Sequence, residues 1–396
     1  MRIYKSNCYL FNILIRCLVL IKEFSSFYYV SLVLFSVSIA LIASCLALFN
    51  KSHIKLAENQ SFKIYDNNFL IIILGFMFYV FMPIDLVNDY IPYAEHYISR
   101  QAGSYSESYA YFSSRDLLFF NYVEFFSSLG VNYRLAYGLI VGFYLYSISL
   151  VAIKNKINVW IVFLFVFLFG NILFVVSGLR QAAAMAFILL AYNFYIEKRW
   201  FLVVGFVLLA SGFHSSAILA VLLICLSVFF LYLKISKYFL IFICFLSFPL
   251  LFGQIVGVSL INNIFPYFYF LISDNYSNYT GEIYAFDSIG SIRLGFVFFT
   301  ISKLVFLMSV LWLSLKNKLD KSYDLIIILS LFYVLYFNVM GLNQYTHRLL
   351  NYLVPFFIFA MSIVIVKISS LNNLYKLISV LFLSVSGLFS MIVLLR

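Results

Sequence analysis

With 396 residues, 65% of them hydrophobic and only 10% charged, the chain has a mean hydropathy of +1.04. A soluble domain needs about a quarter of its residues charged to cover its surface, so a water-solvated globule is excluded. The formal charge of +11 does not point to nucleic acid, because the cations sit as pairs between apolar runs, as topology signals do.

The apolar runs are continuous over about 20 residues, not alternating over ten, which predicts helices and excludes a β-barrel. In chain order, spanning runs fall near 28–49, 68–87, 134–153, 158–176, 237–259, 292–315, 322–341, 347–366 and 374–395, with a slightly short one at 180–196. The segment 8–21 carries Arg16 and reads either as a weak span or as an interfacial helix. The stretch 114–129, with Leu117, Leu118, Phe120, Tyr122, Phe125 and Phe126, reads as an amphipathic helix on the outer surface. The run 200–233 is too long for one span and is interrupted at Ser211-Gly212-Phe213-His214-Ser215-Ser216. It is read as a tight helical hairpin, with one long tilted helix as the alternative. The expected fold is therefore an all-α integral membrane protein. A single polytopic domain over 1–396 would hold about 11–13 transmembrane helices.

Lys154/Lys156, Lys198/Arg199, Lys234/Lys237, Lys316/Lys318/Lys321 and Lys367/Lys376 fall in every second short loop. The positive-inside rule makes those loops cytoplasmic and puts the longer loops 88–133 and 260–291 outside. The pattern breaks only at the N-terminus, where 1–27 and 51–63 are both basic; a real span at 8–21 would resolve it. The five cysteines (Cys8, Cys17, Cys45, Cys225, Cys244) form no CxxC pair and read as small hydrophobes. No A-x-A-like site follows the first apolar run, so no cleavable signal peptide is expected. No HExxH, P-loop or GxGxxG pattern is present, and no cofactor or metal is expected. Gly138/Gly142 and Gly253/Gly257 read as close-packing positions between helices.

Arg180, Arg293 and Arg348 sit at the outer ends of apolar runs, against the topology rule. An arginine near the bilayer is costly unless paired or wetted. Three at one depth suit an anion such as a diphosphate, which the planar guanidinium binds through two parallel hydrogen bonds. The plainer reading is snorkelling to headgroups or pairing with a loop carboxylate. His214, on the same predicted side, titrates near neutrality; a lone histidine in a turn is more often structural. His347, directly before Arg348, is a similar case. Asp85 and Asp89 are the first acids on the outer side, and a carboxylate there can take a proton from a sugar hydroxyl. Simple solvation at a helix end is as good an account. The outer tyrosines, Tyr90, Tyr93 and Tyr97 among them, read as an interfacial aromatic belt or as stacking surfaces for sugar rings. Lys303, in mid-run, marks a polar cavity or a shift in helix register.

The stretch Ser177-Gly178-Leu179-Arg180-Gln181-Ala182-Ala183-Ala184-Met185-Ala186, followed by Leu209-Ala210-Ser211-Gly212-Phe213-His214-Ser215-Ser216-Ala217, resembles the EpsG/Wzy-like family of bacterial exopolysaccharide and O-antigen polymerases. That family shows an Arg-Gln pair opening an alanine-rich helix, a Phe-His-Ser turn one hairpin later, an acidic-tyrosine patch like Asp89-Tyr90…Tyr93, and an arginine like Arg348 starting a late helix. The general helix layout matches across the chain; the sharp part is 177–217. Where many members have Gly after the Arg-Gln pair, this chain has Ala182, a difference in packing and not in chemistry.

The resemblance implies a polymerase at the outer face of the bacterial inner membrane. It would join undecaprenyl-diphosphate-linked repeat units, with membrane lipids and a chain-length regulator protein as partners and no nucleic acid. In that reading His214 and Asp89 are catalytic, and Arg180, Gln181, Arg293, Arg348, Tyr90 and Tyr93 bind substrate. Two rivals share the helix-rich pattern. A lipid-linked oligosaccharide flippase normally shows paired halves, and the 177–217 unit has no counterpart elsewhere in the chain. An O-antigen ligase uses the same donor chemistry, so sequence separates it poorly. A membrane O-acetyltransferase needs acyl-CoA from inside, opposite the predicted side of His214.

Overall fold

A computed structural model of the chain describes residues 90–103, 116–168, 171–255, 289–340 and 344–370, with parts of 73–80. The predicted runs 8–21, 28–49 and 374–395, most of 68–87, the basic segments 1–27 and 51–63, and Asp85 and Asp89 lie outside the described residues. The elements are α1 (Tyr90–Gln101), α2 (Leu117–Ser128), α3 (Tyr133–Lys154), α4 (Val159–Leu168), α5 (Asn171–Ser177), α6 (Leu179–Ile196) and α7 (Trp200–Phe213). They continue with α8 (Ala217–Tyr232), α9 (Lys237–Ile255), α10 (Ile289–Leu315), a 3-10 turn (Lys321–Tyr323), α11 (Asp324–Met340) and α12 (Gln344–Ser369). Among the described residues there is no strand.

Among the described residues, four segments are long and apolar enough to cross a bilayer: Tyr133–Lys154, Leu179–Ile196, Lys321–Val339 and Leu350–Ser369. Shorter apolar helices accompany them at Trp200–Phe213, Ala217–Tyr232, Lys237–Leu250 and Thr300–Leu315. The chain is an all-α membrane protein. The count of 11–13 spans draws also on runs outside the described residues.

Two predicted runs are described as pairs of helices. The run 200–233 is two helices in mutual contact, α7 and α8, as the hairpin reading requires. They are separated by His214, whose backbone is extended at φ −157° and ψ 119°. The run 158–176 is described as α4 and α5, with residues 169–170 between them outside the described residues; Asn171, at the start of α5, is buried. Its Oδ1 accepts the Tyr144 hydroxyl at 2.5 Å.

Small residues bring α6 close to α3 and α7. Ala182, Ala184 and Ala186 are fully buried, so these neighbours approach with little side chain between them. On α3, a Cβ added at Gly138 would come within 3.0 Å of the Phe76 ring, which supports the close-packing reading there. Lys303 lies mid-way along α10 and is fully buried, its Nζ 2.7 Å from the centroid of the Phe337 ring on α11.

Ion pairs tie the helix ends of one face together. Lys154 at the end of α3 meets Glu197 after α6. Lys237 at the start of α9 meets Asp324 at the start of α11 at 3.2 Å, and Lys367 near the end of α12 meets Asp320 at 2.6 Å. This is the face that the lysine distribution assigns to the inside. Four helices that end there, α3, α6, α8 and α10, finish alike. Lys156, Lys198, Lys234 and Asn317 adopt left-handed φ of 55°, 61°, 54° and 51°. The next amide in each case closes a 6→1 bond, as from Ile157 to the Ala152 carbonyl at 2.8 Å and from Ile235 to the Phe230 carbonyl at 3.2 Å.

Candidate active site at the α6 and α7–α8 ends

The opposite ends of the same helices converge on one carboxylate. Asp116 directly precedes α2, in the N-cap position where an aspartate ordinarily binds its own helix. It makes no such bond. Its side chain, 3% exposed, reaches across to α6 and to the break between α7 and α8. Oδ2 accepts Arg180 Nη1 at 2.5 Å. Oδ1 accepts the Ser215 backbone amide at 3.1 Å and faces His214 Nδ1 at 3.4 Å.

Burial alone raises the pKa of Asp116. The hydrogen bond and charge of His214, the Arg180 guanidinium and the Ser215 amide outweigh it and hold the carboxyl below its ordinary value. The group is therefore an anion at neutral pH. An anionic acceptor on Nδ1 selects the His214 tautomer with its proton on Nδ1, which puts the ring's basic lone pair on Nε2. This is the carboxylate–imidazole arrangement that makes histidine a directed general base.

Local sequence explains the convergence. Gly212 lets α2 lie against α7: a Cβ there would come within 2.5 Å of Leu118 Cδ1, two residues after Asp116. The extended backbone at His214 interrupts the helix and frees the Ser215 amide to turn toward Asp116. Arg180 stands in the first turn of α6, where a cation opposes the helix dipole, and Asp116 offsets that cost. Arg180 Nε also donates to the Tyr93 hydroxyl at 3.2 Å, so α1 joins the site.

The family model for the EpsG family matches residues 68–395. The chain belongs to the EpsG family. Membership points to a function of the polysaccharide-polymerase type. No curated protein and no solved structure matches the chain.

In this EpsG-family protein the structure brings Arg180, His214 and Tyr93 together. Gln181 turns the other way: it is 7% exposed, and its Oε1 accepts Asn351 Nδ2 of α12 at 3.3 Å. Position 348 lies on α12 one turn ahead of Asn351 and Tyr352, and position 293 lies in the first turns of α10. Tyr90 opens α1, and Asp89 lies outside the described residues. The tyrosines of this face serve largely as internal ties. Tyr97 is fully buried and donates to the Val131 carbonyl at 2.9 Å. Tyr137 donates to the Tyr93 carbonyl at 3.1 Å. The Tyr93 ring packs edge-on to Phe119 and Tyr137.

The residue that sequence reasoning passed over is Asp116. It was one of eight acids in the two outer loops and carried no motif. Its one distinguishing signal is its place immediately before Leu117-Leu118-Phe119-Phe120, where an aspartate reads as an ordinary cap.

Proposed function

We propose that this protein is a polysaccharide polymerase that joins lipid-diphosphate-linked repeat units at the outer face of a bacterial inner membrane. The observation that carries the reading is the buried Asp116–His214 pair locked by Arg180. A membrane protein with a merely structural histidine has no need of an ionised carboxylate fixing its tautomer.

In the proposed reaction His214 Nε2 takes the proton of a hydroxyl on the acceptor repeat unit as that oxygen attacks the donor's anomeric carbon. The bond from that carbon to the lipid diphosphate breaks, and the diphosphate leaves with the electron pair. Asp116 holds the imidazole and stabilises the imidazolium that forms. Arg180 keeps Asp116 ionised. With Arg348 and Arg293 it supplies positive charge for the diphosphate, where fixed guanidinium donors are most effective as charge develops. Tyr90 and Tyr93 belong to the sugar-binding wall, and Asp89 is a second carboxylate for the acceptor side.

The test is glycan profiling of a deletion strain complemented with variants at matched membrane abundance. Deletion is expected to abolish long chains while single repeat units persist on their carrier or core. Asp116→Asn and His214→Ala are expected to lower polymer yield about a hundredfold, the cost of a few kcal/mol of barrier. Arg348→Lys should rescue poorly, since an ammonium lacks the fork. Unchanged ladders on deletion would overturn the reading. Loss of the single repeat unit from the core as well, while carrier-linked units remain, would favour the flippase or ligase.

A further inference from the structure

Tyr352 on α12 is 2% exposed, and a buried hydroxyl needs a partner. It shares a hydrogen bond of 3.3 Å with Ser216 Oγ. Ser216 occupies the N-cap position of α8, yet its side chain makes no capping bond. Like Asp116, it gives up the local bond for a distant one. The neighbouring residue of α12, Asn351, donates to Gln181, next in sequence to Arg180. Successive helix residues point about 100° apart, so one turn of α12 reaches α6 with Asn351 and the α7–α8 break with Tyr352.

We propose that Tyr352 and Ser216 are positioning residues for His214, acting on the reaction without touching the substrate. The inference rests on His214 being the general base. Three consecutive residues of the break are anchored: His214 on Asp116 through its ring, Ser215 on Asp116 through its amide, and Ser216 on Tyr352. Asp116 fixes only the upstream side. Without the Tyr352 tie, the end of the break is held by backbone alone, and the imidazole loses its aim by the fraction of an ångström that proton transfer does not tolerate. The same turn of α12 follows position 348. Tyr352 therefore also ties the break that carries the base to the turn of α12 that follows position 348.

The experiment compares Tyr352→Phe, Ser216→Ala, their double variant and Ser216→Thr. Polymer yield is read at matched membrane abundance, and thermal unfolding is read in detergent. The expected result is a drop of about tenfold for either single variant, the worth of one modest hydrogen bond, with no further drop in the double variant. Ser216→Thr keeps the hydroxyl and should restore yield, and the single variants should lower the unfolding temperature only by about the worth of one buried hydrogen bond, leaving the protein folded at the assay temperature. Wild-type yield from Tyr352→Phe or Ser216→Ala would overturn the proposal. So would losses that multiply in the double variant, or losses accounted for by unfolding of the variants at the assay temperature. Loss of yield in Asp116→Asn and His214→Ala with none in Tyr352→Phe would sink this inference alone. Full yield in all of them would sink the proposed function.

Discussion

Asp116 shows how a residue's local role and its actual role part company. Its position before an apolar helix makes it a cap by pattern, and its side chain spends both oxygens elsewhere. Arg180 and His214 were legible because each is a costly residue at an apolar boundary, where polar groups need a reason. Asp116 was not, because an acid in a loop needs none, and only the fold reveals that the loop is buried. His96 was missed for the same reason. It is 5% exposed on α1, edge-on to Phe120 at 5.3 Å. Burial, then the charges of Arg100 and Arg180, pull its pKa from 6.5 down to about 4. Unfolded, the ring takes up a proton near pH 6.5; folded, it does so only near 4. The neutral ring therefore stabilises the fold fully above about pH 6.5, and that contribution is lost as pH falls toward 4. The unfolding temperature of the detergent-solubilised protein should drop between pH 7 and pH 5. His96→Leu should flatten that dependence. A wild-type curve as flat as the variant's would refute the assignment.

Among the elements, α2 is the one that makes the site. It lies against α1, α3 and α7, and its Phe119, Phe120 and Val123 are buried. Amphipathic spacing was enough to predict it as a helix, but spacing does not say which neighbour it covers. Gly212 decides that, by admitting Leu118. A branched residue there overpacks the contact, at a cost of about 1–3 kcal/mol, and lifts α2 with Asp116 away from His214. Gly212→Val should lower polymer yield at least tenfold at matched abundance, and Leu118→Ala in the same chain should restore part of it. Failure of the second change to help would show that Gly212 acts through something other than α2. The break between α7 and α8 was readable from Ser211-Gly212-Phe213-His214-Ser215-Ser216, because polar residues interrupt the run. Within 158–176, the hydroxyl of Tyr144 on α3 gives the buried Asn171 its partner, a pairing that hydropathy does not reveal.

At the scale of the whole molecule the chain has two unlike faces. One gathers lysines and their acid partners, and the other gathers Asp116, Arg180, His214 and the tyrosines. The fold class followed from hydropathy, and the sorting of loops followed from lysine spacing; which loop acid meets which cation required the packing. Ser128→Cys, exposed at the end of α2, should react with a membrane-impermeant thiol reagent from outside intact cells, in a background lacking the native cysteines. Lys318→Cys should react only after the membrane is opened. The reverse pattern would put the site on the cytoplasmic face and end the lipid-diphosphate reading. The left-handed lysines of the first face have a consequence for how the protein is made. Glycine would sit at those turns with about 1 kcal/mol less backbone strain. Lysine carries a charge that acts while the nascent helix is choosing its direction, before any turn exists to be strained. On the positive-inside reading, each of these lysines serves two moments in the protein's life, and the small distortion of the mature turn is the trace of a decision made during synthesis.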